Sequence, residues 1–140
     1  MARGSELWDR FETALATQDY DGLVSLFAPE GVYIEPAGRH EGREAIRAWL
    51  DDWGHAFSEV RYEAILVIED DDVIVAETTY RSTHTGPLTM PDGSVVAATG
   101  KTVDTPGVTI LRVKDSKIVA ARDYVDMLAG MIDLGLLPRA

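Results

Sequence analysis

At 140 residues the chain is read as one domain spanning 1–140, and its 46% hydrophobic and 26% charged content is that of a soluble globular protein. Thirteen Lys and Arg against 24 Asp and Glu give a formal charge of −11, which excludes the basic face that nucleic acid or an anionic membrane surface requires. Cysteine is absent, so disulfides and thiolate chemistry are excluded, and no apolar run approaches the roughly 18 residues of a membrane span. Without a signal-like N-terminal segment, the expected location is cytoplasmic.

Residues 5–17 carry Leu7, Trp8, Phe11, Ala14 and Leu15 at helical spacing, with Ser5 placed as an N-cap. A second short helix is expected from Tyr20 to Phe27, between Asp19 and Pro29. Gly31 to Pro36 reads as a short strand, with Tyr33 and Glu35 on one face and Val32 and Ile34 on the other. Which face meets the core is open, and with it whether Glu35 is a solvated edge charge. A loop, PAGRHEG, precedes a third helix from about Arg43 to Phe57, striped by Ala45, Ile46, Trp49, Leu50 and Trp53. His40 and His55 near its ends have no second ligand at metal spacing and are read as surface histidines.

From Val60 the period changes to two. A strand through Ile68, the acidic turn at 69–72, and a strand from Val73 to about His84 form a hairpin. The acidic turn is too short a frame for calcium and is read as solvent-facing. Residues 85–107, rich in Gly, Pro and Thr, read as a long excursion turning at Pro91-Asp92-Gly93 with some strand on either side, and the segment from Met90 to Gly93 as a lid or contact arm. A strand at 108–113, a tight turn at Lys114-Asp115, and a strand at 118–125 complete a meander that ends in a short helix. Helices first and antiparallel strands after make the fold class α+β, with helices packed on one side of a curved sheet.

In the last strand, alternation puts Val119, Ala121, Asp123 and Val125 on one face and Ile118, Ala120, Arg122 and Tyr124 on the other. Asp123 among apolar neighbours loses hydration, which raises its pKa toward the range useful for proton transfer. Two structural alternatives stay open at this point: Asp123 caps the following helix, or it pairs with Arg122 or Arg112.

Several segments together resemble the NTF2-like superfamily and, within it, the SnoaL-like polyketide cyclases. Arg122-Asp123-Tyr124-Val125-Asp126, followed by Leu134-Gly135, is similar to the family's R-D-W-x-D…Q-L-G segment, with Asp133 at its glutamine. His84-Thr85-Gly86, Thr99-Gly100-Lys101, the hairpin at 113–118 and Gly42-Arg43-Glu44-Ala45-Ile46 match further positions. The resemblance implies a cone: a strongly bent mixed sheet wrapping a pocket, with about three helices of the N-terminal half closed over it. It also implies a general acid/base aspartate, at Asp123, that removes a proton next to a carbonyl so that an aldol closes a ring, with no metal or organic cofactor. His84 falls at a motif position and joins Asp123 as a catalytic candidate. The cyclases' histidine on the preceding strand is Thr109 here, and their first-strand asparagine is Glu35.

The expected ligand is a small hydrophobic carbonyl compound lined by Tyr33, Glu35, Trp49, Tyr80 and Thr109. Isomerase chemistry on a steroid-like ketone and a non-catalytic binding module are the alternatives, and epoxide hydrolysis ranks behind them. The apolar and β-branched residues on the outer faces of the late strands predict a homodimer.

Overall fold

A computed structural model describes residues 2–139, with side chains from Glu6 to Arg139. The order is α1 (Ala2–Ala16), α2 (Tyr20–Ser25), β1 (Phe27–Glu35), β2 (Gly38–Glu41), α3 (Arg43–Ala56), β3 (Phe57–Asp70), β4 (Val73–His84), β5 (Leu88–Thr89), β6 (Val95–Val96), β7 (Thr102–Lys114), β8 (Lys117–Val125) and α4 (Met127–Asp133). The fold is α+β, with a curved sheet. Six strands are ordered β2-β1-β8-β7-β4-β3, and β5 pairs only with β6. Every neighbouring pair is antiparallel except β1 and β8, which run parallel, so the sheet is mixed.

Burial of one face of α1, α2 and α3 closes the sheet's inner side. Trp8 and Phe11 of α1, Leu23 of α2, and Ile46 and Leu50 of α3 are buried with Phe27, Tyr33, Leu111, Ile118 and Ala121 of the sheet. A second cluster gathers Ala56, Phe57, Val103 and Leu134, with Trp53, Tyr80 and Leu88 against it. The cavity described below lies between these two apolar masses.

Several boundaries differ from the sequence expectation, each for a local reason. Asp19 caps α2 as expected, its side chain accepting from the Gly22 N–H, but the helix ends at Ser25 and Phe27 already belongs to β1. The ladder between β1 and β8 slips between Phe27 and Val32, and this irregularity accommodates Pro29 within the strand. A Cβ at Gly31 would lie 3.0 Å from the Ile118 carbonyl oxygen, so the close approach of β1 to β8 there selects glycine. The segment PAGRHEG is a turn plus strand β2, which pairs with β1, rather than a loop. β7 begins at Thr102, so the strand expected after the turn at 91–93 runs unbroken into the one expected at 108–113.

The turn after β7 centres on Asp115 and Ser116, both with positive φ, one residue beyond the expected Lys114-Asp115. The β7–β8 ladder then shifts between Arg112 and Val113, putting Ile118 and Ala121 both in the core although simple alternation separates them. α1 starts at Ala2, so Ser5 lies inside it, and a capping role for the Ser5 side chain falls outside the described residues. No helix among the described residues is long and apolar enough to cross a membrane.

Candidate functional site

Asp123 stands directly opposite Thr109 in the β7–β8 ladder, so both side chains leave the sheet on the same face. The Thr109 hydroxyl donates to Asp123 Oδ1 at 2.8 Å. From β1 the Tyr33 hydroxyl donates to Asp123 Oδ2, also at 2.8 Å. Tyr62 of β3 lies 3.2 Å from Thr109 Oγ1. Because the single Thr109 proton is committed to Asp123, Tyr62 is the donor of that pair. A chain of hydroxyls therefore runs Tyr62 to Thr109 to Asp123, and Tyr33 closes on the other carboxylate oxygen.

No cation joins this network among the described residues. Arg122 and Arg112 are exposed on the opposite face, and Arg122 reaches toward the Tyr124 hydroxyl. The helix cap is Asp126, whose side chain accepts from the Ala129 N–H. Both structural alternatives for Asp123 are thereby closed. Burial dominates its electrostatics and pushes its pKa up to about 6; the hydrogen bonds from Tyr33 and Thr109 pull it back, and the charge of Glu35 adds to the rise. Burial, with the neighbouring carboxylate, likewise holds the Tyr33 hydroxyl well above its ordinary range, so it remains a donor.

Asp123 opens onto a cavity of about 190 Å³ whose wall is mostly apolar and includes the rings of Tyr33, Trp49, Trp53, Tyr62 and Tyr80. Tyr33 and Trp49 pack with ring centroids 4.7 Å apart. Trp53 Nε1 donates to the Tyr80 hydroxyl at 2.8 Å. Exposed residues mark the rim: Pro36 and Ala37 of the β1–β2 turn, Pro91 of the β5–β6 hairpin, and Met127 of α4.

Six of the seven expected site residues, Tyr33, Glu35, Trp49, Tyr80, Thr109 and Asp123, line this one cavity. Glu35 faces inward with Tyr33, and its side chain is only 7% exposed, so it is not an edge charge. His84 is the exception. It is fully buried further along β4, against Phe57, with Nδ1 accepting from the Thr99 N–H, and it does not line the cavity. Its motif has a structural account. The Thr85 and Gly86 N–H groups both bond the Ala56 carbonyl at the end of α3, and a Cβ on Gly86 would collide with the His55 backbone.

Sequence reasoning missed Tyr62, Trp53 and His40. Tyr62 carried a signal, since alternation in β3 puts it on one face with Val60 and Ala64. His40 is not a free surface residue: β2 pairs it with Tyr33, and its ring stacks on Trp49 at 5.0 Å. His55 is exposed, as expected.

Comparison with known proteins agrees with this architecture. A candidate SnoaL-like polyketide cyclase from Jannaschia sp. CCS1 superimposes with a TM-score of 0.85 at 22% identity, covering 98% of this chain and 94% of that one. AclR, a candidate hydroxylase from Streptomyces galilaeus, gives 0.85 at 23% identity over 100% of this chain and 85% of its own. A hypothetical protein with a ketosteroid isomerase-like fold from Catenulispora acidiphila DSM 44928, solved with trimethylamine, gives 0.76 at 20% identity over 93% and 92%. At these identities the likeness is one of fold. No curated protein matches the chain. Residues 8–121 match the SnoaL-like domain family, an extent that stops short of Asp123, and the chain belongs to that family.

Proposed function

We propose that this protein catalyses proton transfer at a carbon next to a carbonyl in a small hydrophobic compound, with Asp123 as general base. One observation carries the reading: a carboxylate held by two hydroxyls, with no cation beside it among the described residues, on the wall of an apolar cavity. A base with a pKa near 6 is ionised at neutral pH yet holds a proton well enough to take it from carbon. Both carboxylate oxygens are pinned, so the base is oriented before substrate arrives.

The enolate that forms needs a donor. Tyr80, which accepts from Trp53 and also neighbours Ser82, lines the cavity, and burial keeps its hydroxyl protonated as the donor for this role. The family supports ring-closing aldol chemistry as the first reading, and double-bond isomerisation begins with the same proton abstraction. Size narrows the substrate. A cavity of about 150 Å³ holds benzene, so about 190 Å³ suits one or two fused rings, with any longer substituent leaving through the rim.

Deuteration of 2-indanone in D2O, followed by proton NMR, tests the base without knowledge of the natural substrate. The protein is expected to accelerate exchange at the α-carbons, and Asp123→Asn to lower that rate by about 10²–10⁴-fold. Exchange at the buffer rate, or an equal rate in the variant, replaces this reading with that of a binding module.

A further inference from the structure

Glu35 and His40 are the unexplained polar groups of this cavity. The β1–β8 register runs Tyr33 with Ala121 and Ile34 with Arg122, so one further step brings Glu35 abreast of Asp123. On the other side, β2 pairs Tyr33 with His40 and Glu35 with Gly38, which places Glu35 and His40 diagonally on the same inner face. His40 Nε2 lies 3.6 Å from Glu35 Oε1, inside ion-pair range but too long for a hydrogen bond. Both atoms are buried, and among the described residues neither has a hydrogen-bond partner.

Two buried polar atoms that face each other unsatisfied are costly to maintain unless they do something. The residues differ in access. Glu35 is 7% exposed and lines the cavity, whereas His40 is 22% exposed and borders solvent. The stack on Trp49 fixes the imidazole plane.

We propose that Glu35 and His40 form the route by which protons pass between the cavity and solvent, with Glu35 as the second catalytic carboxyl and His40 positioning and recharging it. The proposal rests on Asp123 being the base. In the aldol case Asp123 takes the α-proton, and the carbon's electron pair forms the new bond to the acceptor carbonyl carbon. The carbonyl π pair moves to oxygen, and protonated Glu35 supplies the hydrogen that makes it a hydroxyl. Asp123 is then protonated and Glu35 ionised. Transfer between the neighbours, or loss from Asp123 and regain at Glu35 through His40, restores both.

Burial raises the pKa of both carboxyls, and what distinguishes them is the hydrogen bonding around each. Asp123 accepts from two hydroxyls, which favour its charged form. Burial raises the pKa of Glu35 by more than His40 and the backbone at Ala37 and Gly38 lower it, which favours its protonated form relative to a free glutamate.

The same 2-indanone exchange in D2O separates this route from the base itself. Deuteration requires the proton on Asp123 to be replaced from solvent before it returns to carbon. Glu35→Gln and His40→Phe, the latter keeping an aromatic ring against Trp49, are each expected to lower deuteration about tenfold or more. Their affinity for 2-indanone, measured by calorimetry, is expected to stay within about twofold, because neither change alters the apolar wall. Imidazole added to the buffer is expected to restore exchange to His40→Ala, a recovery that a purely structural histidine does not show. Wild-type exchange in Glu35→Gln and His40→Phe, with loss only in Asp123→Asn, overturns the relay and leaves the base standing. Equal rates in all variants overturn both. Failure of imidazole to rescue a His40→Ala protein that melts as the wild type does removes His40 from the route.

Discussion

The Tyr33 hydroxyl and the Asp123 carboxylate meet at 2.8 Å across a separation of 90 residues, joining the first strand of the sheet to the last. Tyr33 is 1% exposed and packed between Phe11, Phe27 and Trp49, so the donor cannot swing away. The hydrogen bond favours the ionised carboxylate and opposes the effect of burial.

Tyr33→Phe therefore has a signed consequence. With that donor gone, the pKa of Asp123 is expected to climb above about 6, and the pH at which exchange of 2-indanone reaches half its plateau climbs with it. The lost hydrogen bond to a buried carboxylate is expected to cost about 1–3 kcal/mol of stability. A carboxyl carbon titration by NMR reads the change directly, and an unmoved or lower pKa counts against the role assigned to Tyr33.

Much of this site was legible in the sequence because a strand's period is two. Asp123, Tyr33 and Glu35 reached their common face through alternation and family position alone, and the structure places them on one wall. Where the reading failed, the cause was long-range pairing. Nothing local in PAGRHEG shows that it will add a strand to β1, yet that pairing is what carries His40 to Glu35. Likewise the slip between Arg112 and Val113 is set by the β7–β8 ladder, and it moves Ile118 into the core. His84 misled for the converse reason. Its place in a motif reflects the need of α3 for a buried end, met by the Thr85 and Gly86 N–H groups.

We propose that the chain associates as a homodimer. The β3–β4 hairpin ends in a run whose side chains are exposed on both faces, Ile65 at 64%, Leu66 at 51%, Val67 at 38% and Ile68 at 54%. β3 is also an edge strand of the sheet, although Glu12 of α1 takes its Ala64 N–H. A second copy is the partner that the outward Tyr124, at 54% exposure, and these apolar side chains fit. Sedimentation at micromolar concentration is expected to give twice 15.3 kDa, and the double change Ile65→Glu with Ile68→Glu to lower it to the monomer. A wild-type monomer contradicts the assembly.

The β5–β6 hairpin is expected to act as a lid. Its turn is held by bonds from the Gly93 N–H to the Met90 carbonyl and from the Met90 N–H to the Ser94 carbonyl, but the hairpin joins no strand of the main sheet. Leu88, Met90 and Pro91 line the cavity rim. Amide exchange at 88–96 is expected to be fast in the free protein and to slow on addition of 2-indanone, while β7 and β8 change little. Equal protection with and without the probe argues against closure.

Asp123→Asn offers a test that needs no turnover at all. In the folded chain the carboxyl holds its proton up to about pH 6, above its ordinary value of 3.8, so folding favours the protonated form. Its contribution to stability is therefore complete below that ordinary value and is lost as pH rises through about 6. Above that window the ionised group costs on the order of 3 kcal/mol at most, at about 1.4 kcal/mol for each tenfold change in proton affinity. An asparagine has no such titration. Its carbonyl oxygen accepts from one of the two hydroxyls, and the other must turn to accept from the amide, an adjustment of about 1 kcal/mol. The variant is thus expected to melt a few degrees above the wild type at a pH above about 7, and to lose that advantage at about pH 4. A variant that melts lower at neutral pH identifies Asp123 as an anchor that the fold needs ionised, and the proposal of a strained general base fails with it.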